Sequence, residues 1–483
     1  MNDFVGNKEK LKKLKRTKNS LREVSIPFVR EGEHTPRRSL REWLRGWKME
    51  SQELRWIISG APWLWLGMRN DGSPSRYIHR AFCLYAWRQS RLGFILMGAV
   101  FIAGIPVVLG MMVYCTMVHG ARVHREVGKN PLRQMSELLA LWLTKGILPF
   151  HYYTFDLYRA GMRRRALDYL YRHETKRGLY LMLREHFPAH ETRNALSHKA
   201  LFAQRCQQYG VAVVPALFTV KQGELTRFDL EEAGLPPYDL FLKPVRGAGG
   251  RGAEVWTYLG DRSYRNASAG TRSEAELLVH LINLSRRKPY VGRLLAANHP
   301  ELAAVSSGAL CTIRVLTCLD ENNRPEVTDA VLRMPRTPGI VVDNFHAGGI
   351  AAKVMLENGM IGAATGLGQD RHTAWFENHP TTGAVILGRQ VPMWPQVLDL
   401  ARQVHSVFPD QFFVGWDIAV LETGPHLIEG NKGPDLDIIQ RTGGEPIGNS
   451  RFGALLAYHL RQGLEKGHSV SIPAARPSAE CVH

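Results

Sequence analysis

Three stretches of this sequence hold residue types whose chemistry stands apart from their surroundings. Residues 412–431 read FFVGWDIAVLETGPHLIEGN. Two apolar strands flank Thr423-Gly424-Pro425, a turn signal. Such a hairpin sets Asp417 nearly opposite Glu429, and Asn431, two positions on, shares a face with Glu429. Three hard oxygen donors at one end of a buried-looking sheet suit Mg2+, which completes its octahedron with waters and phosphates. The plainer alternative is the solvent-facing side of an amphipathic hairpin. Ile418, Val420, Leu427 and Ile428, which bracket the three, count against it.

Residues 239–256 read DLFLKPVRGAGGRGAEVW. A short apolar strand delivers Lys243. A loop with Gly247, Gly249, Gly250 and Gly252 follows, and a second strand returns through Val255. Glycines let backbone N–H groups approach a polyphosphate, and Lys243 and Arg251 add positive charge. No G-K-[ST] closes the loop, so it is not a Walker pattern, and a strand rather than a helix follows, which excludes the Rossmann pattern. An ordinary glycine turn is the alternative. Residues 308–317, GALCTIRVLT, read as a core strand apart from Arg314, which among such neighbours needs an anionic partner: a phosphoryl group, a substrate carboxylate or a structural salt bridge.

The elements that must hold these residues follow from periodicity. A helix carries His198 to Gln208, with Gly210 as its cap, and VAVVPALFTV gives a strand ending near Val220. Residues 156–200 read as helical. With 483 residues, 45% of them hydrophobic and 22% charged, the chain is long enough for more than one folded region and too apolar to be disordered. Its net charge of +18, concentrated near the N-terminus from Lys8 to Lys18 and at Arg37, Arg38, Arg41 and Arg45, would attract anionic lipid or remain a solvated tail. No RNA-binding signature with stacking aromatics is present, so nucleic acid is not an expected partner. The six cysteines form no C-x-x-C pair, which argues against structural zinc and fits a reducing compartment.

From Leu92 to Val118 no residue is charged, a run longer than the roughly 20 residues that cross a bilayer core. Arginines flank both ends, and Pro106 with Gly104 and Gly110 could break it. The expectation is a re-entrant membrane segment with both ends cytoplasmic; a buried core helix is the alternative. Residues 138–153 read as an interfacial amphipathic helix or an ordinary packing helix.

In this order the three motifs resemble the ATP-grasp superfamily and, more narrowly, its sugar-transfer-associated group found with bacterial polysaccharide genes, over about residues 195–465. The resemblance implies an α+β ATP-grasp fold: two α/β subdomains with nucleotide between them, preceded by a helical, membrane-associated N-terminal region. The expected organisation is a basic region over 1–90, a hydrophobic segment over 91–118, a helical linker over 119–194, the catalytic domain over 195–465 and a tail over 466–483. By the same resemblance the glycine hairpin, with Gly249, Gly250, Arg251 and Gly252, is a lid over the triphosphate. Lys243 and Lys199 hold phosphates, while Asp417, Glu429 and Asn431 bind magnesium. Arg314 faces the reacting phosphate. His346, in NFHAGG, lies beside an acceptor pocket as a general base or a satisfied loop histidine. Val291, Arg293 and Leu294 fall in the adenine hinge, where Arg293 departs from the acidic residue of that group. A second departure is the lack of an evident Rossmann-like N-terminal subdomain. The implied reaction is ATP-dependent joining of a carboxylate to an amine through an acyl phosphate, at the cytoplasmic side of the inner membrane. A non-catalytic ATP-binding component of a polysaccharide assembly and a phosphotransferase are the alternatives.

Overall fold

Fourteen short strands, several of them with apolar residues at every second position, form two antiparallel sheets. The computed structural model describes residues 58–69, 71–186, 192–227, 234–245, 252–337, 343, 345, 348–368 and 374–466. The first sheet has β1 (Ala216–Lys221), β2 (Glu224–Arg227), β3 (Leu240–Pro244), β4 (Glu254–Gly260), β5 (Ser263–Asn266), β6 (Gly270–Ser273) and β7 (Tyr290–Leu294), in the order β2-β1-β7-β3-β4-β5-β6. The second has β8 (Thr312–Leu319), β9 (Pro325–Met334), β10 (Ile350–Val354), β11 (Ile361–Thr365), β12 (Trp375–Phe376), β13 (Phe413–Leu421) and β14 (Gly424–Asn431), in the order β12-β11-β10-β9-β8-β13-β14.

A helical layer precedes the sheets: α1 (Pro74–Gln89), α2 (Arg91–Ala103), α3 (Ile105–Val127), α4 (Pro131–Lys145) and α5 (Pro149–Thr154). After it come α6 (Lys199–Gln208), α7 (Glu274–Ser285), α8 (Trp394–Val407), α9 (Leu436–Gly443) and α10 (Arg451–Lys466). Leu277 and Leu281 of α7 pack on Phe218, Leu240, Leu242 and Trp256 of the first sheet. One face of the second sheet, with Ile313, Val315, Leu332 and Ile418, packs on Phe202 of α6 and on Val397, Ala401 and Val404 of α8. Its other face, with Leu316, Val331, Ala351 and Phe413, shares a core with Tyr152, Tyr153 and Leu157 and with Leu436, Ile439 and Leu455. The helical layer is therefore bound into the second sheet's own core rather than strung in front of it as a linker.

Two expectations change here. Residues 156–200 are not one helical stretch but short pieces, a 3-10 turn at Arg164–Asp168, a π turn at Thr175–Leu179 and brief helices after it. Asp156 at φ 48° and Gly161 at φ 79° turn the chain, which lets Tyr169 and Tyr171 bury fully. Residues 138–153 are not one helix but the end of α4 and most of α5, and α4 packs one side inward while Leu139 and Leu143 stay exposed. Leu138, Leu141 and Trp142 of α4 point inward, and α5 is buried almost throughout. The five described cysteines are buried and unbonded.

Candidate active site

Asp417 stands in the middle of β13, opposite Arg314 of β8 on one side and Glu429 of β14 on the other. Counting back from the turn would set Ile428 opposite Asp417. A bulge in β14 carries Ile428 as an extra residue and brings Glu429 into direct register. Cross-strand partners project to the same face, so Arg314, Asp417 and Glu429 rise together, with Asn431 two residues further on. Gly415 keeps the space open, because a Cβ there would sit 2.8 Å from both Arg314 Cδ and Pro434 Cβ.

Arg314 grips Asp417 through Nε and through Nη2, the latter at 3.1 Å. A second guanidinium joins from β9: Arg333 Nη2 donates to Asp417 Oδ2 at 2.9 Å, and its Nε donates to Thr312 Oγ1 at 3.0 Å. Arg333 also pairs with Asp343 at 3.4 Å, and the Thr312 hydroxyl donates to Asp343. Burial pushes the Asp343 carboxyl up against the pull of Arg333. Asn431 Nδ2 donates to Asp417 Oδ2 at 3.4 Å; turning the amide over would present its oxygen to the same point.

Glu429 is held from the other sheet. Lys243, at the end of β3, places Nζ 3.4 Å from Glu429 Oε2. Lys199 lies 4.0 Å from the same oxygen and donates to the Val245 carbonyl at 3.3 Å. His198 caps α6 and so fixes where Lys199 starts. Burial, and after it the Arg293 guanidinium, pushes the Lys243 ammonium down to about 7. Burial also lowers Lys199. For Glu429 burial works upward, but Lys243 and Lys199 outweigh it and hold the carboxyl below the usual carboxylate range.

Of the residues singled out in the sequence, Lys199, Lys243, Arg314, Asp417, Glu429 and Asn431 therefore meet in one place. Arg293 does not face them with its side chain. It is buried, donating Nη1 to the Ile428 carbonyl at 2.7 Å and Nη2 to the Lys199 carbonyl at 3.2 Å, so only its backbone is left to read a base. Val291 is buried opposite Lys243, Leu294 pairs with Leu240, and Gly252 sits at φ 77°. Gly249, Gly250, Arg251 and His346 lie outside the described residues. Sequence reasoning missed Thr312, Arg333 and Asp343. The signal for Arg333 was available, since a basic residue in DAVLRM interrupts an apolar strand as Arg314 does in its own.

Among the described residues no three His, Cys, Asp or Glu side chains cluster as a metal site. Two carboxylates and one amide fit a hard divalent cation that shares its shell with phosphate oxygens. The Asp417–Asn431 contact and the strongly acidic Glu429 support that fit.

Farther along the same face, Thr312, Arg333, Ala351, Thr365 and Trp375 stand directly opposite one another across β8 to β12. Three strand spacings, roughly 14 Å, separate Arg333 from Trp375. There a cavity of about 400 Å³ is lined by Phe155, Asp156, Arg159, Trp375, Gln440 and Arg441, among others. Asp156 pairs with Arg441 Nη1 at 2.7 Å and accepts from the Trp375 indole at 3.0 Å, and Arg441 stacks 4.7 Å from the Trp375 ring. The segment after α5 thus supplies one wall, and α9 with Trp375 of β12 supplies the other.

The fold and the site have the form of an ATP-grasp protein. Residues 183–451, more than half of the chain, match the sugar-transfer-associated ATP-grasp family, and the chain belongs to it. No curated protein matches the sequence. Solved structures that resemble it include D-alanine–D-alanine ligase from Bacillus anthracis, at 11% identity and TM-score 0.32, covering 57% of this chain and 70% of that one. N5-carboxyaminoimidazole synthase from Aspergillus clavatus shares 10% identity at TM-score 0.28, covering 55% and 52%. L-amino acid ligase from Bacillus licheniformis shares 12% at 0.28, covering 51% and 43%. The chain spans about half the length of the last two. The family assignment rests on the sequence match, not on these loose overlaps.

Proposed function

We propose that the protein is an ATP-dependent carboxylate–amine ligase that forms ADP and passes through an acyl phosphate. The observation that carries the reading is the meeting of Lys243, from one sheet, with Asp417, Glu429 and Asn431 of the other. Mg2+ held by those three residues would neutralise phosphate charge. Lys199 and Lys243, now resting on Glu429, would turn to the phosphate oxygens once a cation takes that carboxylate, and Arg314 and Arg333 would flank the transferring group. Phosphorylation gives the carboxylate a good leaving group; an amine then attacks the acyl carbon and releases phosphate. The position of the cavity on the face that carries Arg333, about three strands along the sheet, supports it as the acceptor's place. Its aromatic wall and its Asp156–Arg441 pair suit a sugar acid or an amino acid. Because ATP is the co-substrate, the reaction is assigned to the cytoplasmic side of the inner membrane.

The test is ADP release by full-length protein supplied with MgATP and paired uronic acids and amino acids, with mass spectrometry of the product. The expected product is an amide, and Glu429→Gln should lose acceptor-dependent ADP release. A phosphate ester would show a phosphotransferase instead. Nucleotide binding with no turnover on any pair would favour a non-catalytic role.

A further inference from the structure

α2 and α3 form one bent rod rather than a hairpin. Gly104 between them keeps right-handed helical dihedrals (φ −80°, ψ −10°), and hydrogen bonds continue on both sides, from Gly104 N to the Val100 carbonyl and from Val108 N to the Gly104 carbonyl. Pro106 falls in the first turn of α3, where a missing N–H costs nothing, so it starts the helix instead of breaking it. α3 is the one described helix long and apolar enough to cross a bilayer by length and composition. One of its sides is already occupied. Val108, Met112, Cys115, Thr116, His119 and Val123 are buried, and Arg122 Nη1 donates to the Gly368 carbonyl at 2.9 Å. A helix pinned in this way to the ATP-grasp body cannot stand upright in a bilayer without drawing that body in.

The opposite side is bare and apolar. Val107, Val113, Tyr114 and Met117 recur at helical spacing on α3, as Leu92, Ile95, Leu96 and Ile102 do on α2. Met117 is 79% exposed, Leu92 68% and Ile102 66%. A helix on the surface of a water-soluble protein carries polar residues there. Charge gives the second observation. From Gly72 to Arg125 there is no Asp or Glu, although the chain's average content would place about five in such a run. Arg80, Arg88, Arg91 and Arg125 are exposed within it.

We propose that this side of α2–α3 lies flat in the boundary between headgroups and acyl chains of an anionic bilayer, a monotopic contact and not a span. Arg80, Arg88 and Arg91, on the stretch without acids, complement lipid phosphates, while acids enter at its margins, at Glu126 beside Arg125 and at Glu185, which accepts from Tyr85. The contact orients the molecule, holding the ATP-grasp body beside the membrane through the buried side of α3.

The experiment is flotation of nucleotide-free, full-length protein with vesicles of equimolar phosphatidylcholine and phosphatidylglycerol, and with phosphatidylcholine alone. Wild-type protein should float with the anionic vesicles. Val113→Asp combined with Met117→Asp should cut the floated fraction about tenfold or more, with ATP binding and unfolding midpoint unchanged. Arg88→Gln with Arg91→Gln should weaken flotation on anionic vesicles and leave neutral vesicles unaffected. Wild-type protein that stays at the bottom with both vesicles would overturn the proposal, as would an aspartate variant that floats equally. A lipid-free dimer that the aspartate pair dissociates would overturn it in favour of a second copy. Each readout is independent of ligase turnover.

Discussion

Replacing Asp417 separates the site's chemistry from its architecture. Its side chain is 3% exposed and faces two guanidiniums, with the Arg314 and Arg333 side chains 9% and 13% exposed. Asp417→Ala leaves both cations buried with no carboxylate between them. Breaking a buried pair from one side costs about 3–5 kcal/mol, and here the lower end applies, because Arg333 keeps Asp343 at 3.4 Å. Asp417→Asn keeps the shape and one acceptor, so a loss nearer 1–2 kcal/mol is expected. Both variants should lose Mg-dependent ADP release, since neither supplies the anionic donor. A quadruple variant, Asp417→Leu with Arg314→Met, Arg333→Met and Asp343→Asn, which leaves no buried charge without its partner, should recover most of the stability and none of the turnover. Urea unfolding gives the first quantity and coupled ADP detection the second. The electrostatic reasoning fails if Asp417→Ala unfolds at the wild-type urea concentration. The metal assignment fails if Asp417→Asn turns over normally.

Three further outcomes follow from neighbouring groups. Burial pushes His405 down to about 4, where it bonds the Gln411 carbonyl and Thr317. The unfolded chain then binds the extra proton between about pH 6.5 and 4, so stability should fall by about 3 kcal/mol as pH drops through that window. His405→Gln should remove this slope in urea midpoints measured at several pH values. Arg293 is opposite Phe241, two residues from Lys243, a diagonal distance of roughly 7–8 Å. Its guanidinium, after burial, helps push the Lys243 ammonium down. Arg293→Met should therefore keep Lys243 protonated to higher pH, and nucleotide affinity should decline less between pH 7 and 9; an unchanged ratio of dissociation constants would contradict this. Trp375→Ala should raise KM for the acceptor and leave KM for ATP unchanged, and equal effects on both would remove the cavity from the acceptor's path.

The hairpin that carries Asp417, Glu429 and Asn431 was legible because alternation and a Thr-Gly-Pro turn are local signals. What sequence could not supply was the bulge at Ile428, which moves Glu429 from nearly opposite to directly opposite Asp417. Arg333 and Asp343 escaped notice because their partnership with Asp417 joins strands far apart in the chain, and no periodicity reports such pairing. Arg293 looked like a departure at the nucleotide hinge, and its role emerged only once the carbonyls around it were known. The apolar run over 92–118 was plain, but its bend at Gly104 instead of a reversal at Pro106 depends on helix capping and on the surface against which α3 packs. The helical layer was read as a linker because its short, broken pieces find their order only against the second sheet.

The bulge at Ile428 frees a carbonyl from the β-ladder, and Arg293 of the first sheet takes it. Nearby, Val214 N donates to the Leu427 carbonyl at 2.9 Å and Leu427 N to the Ala212 carbonyl at 3.0 Å, so the chain entering β1 is tied to the same strand. Among the described residues the two sheets are stitched together along this seam, and the segment after β7 adds a tie to β13, from His299 N to the Val420 carbonyl at 2.8 Å. A gape between them that spares these bonds is then a rotation about the β13–β14 edge, like a book opening from its spine. β4, β5 and β6, the strands farthest from the seam, travel most, and Lys243, close beside it, swings least.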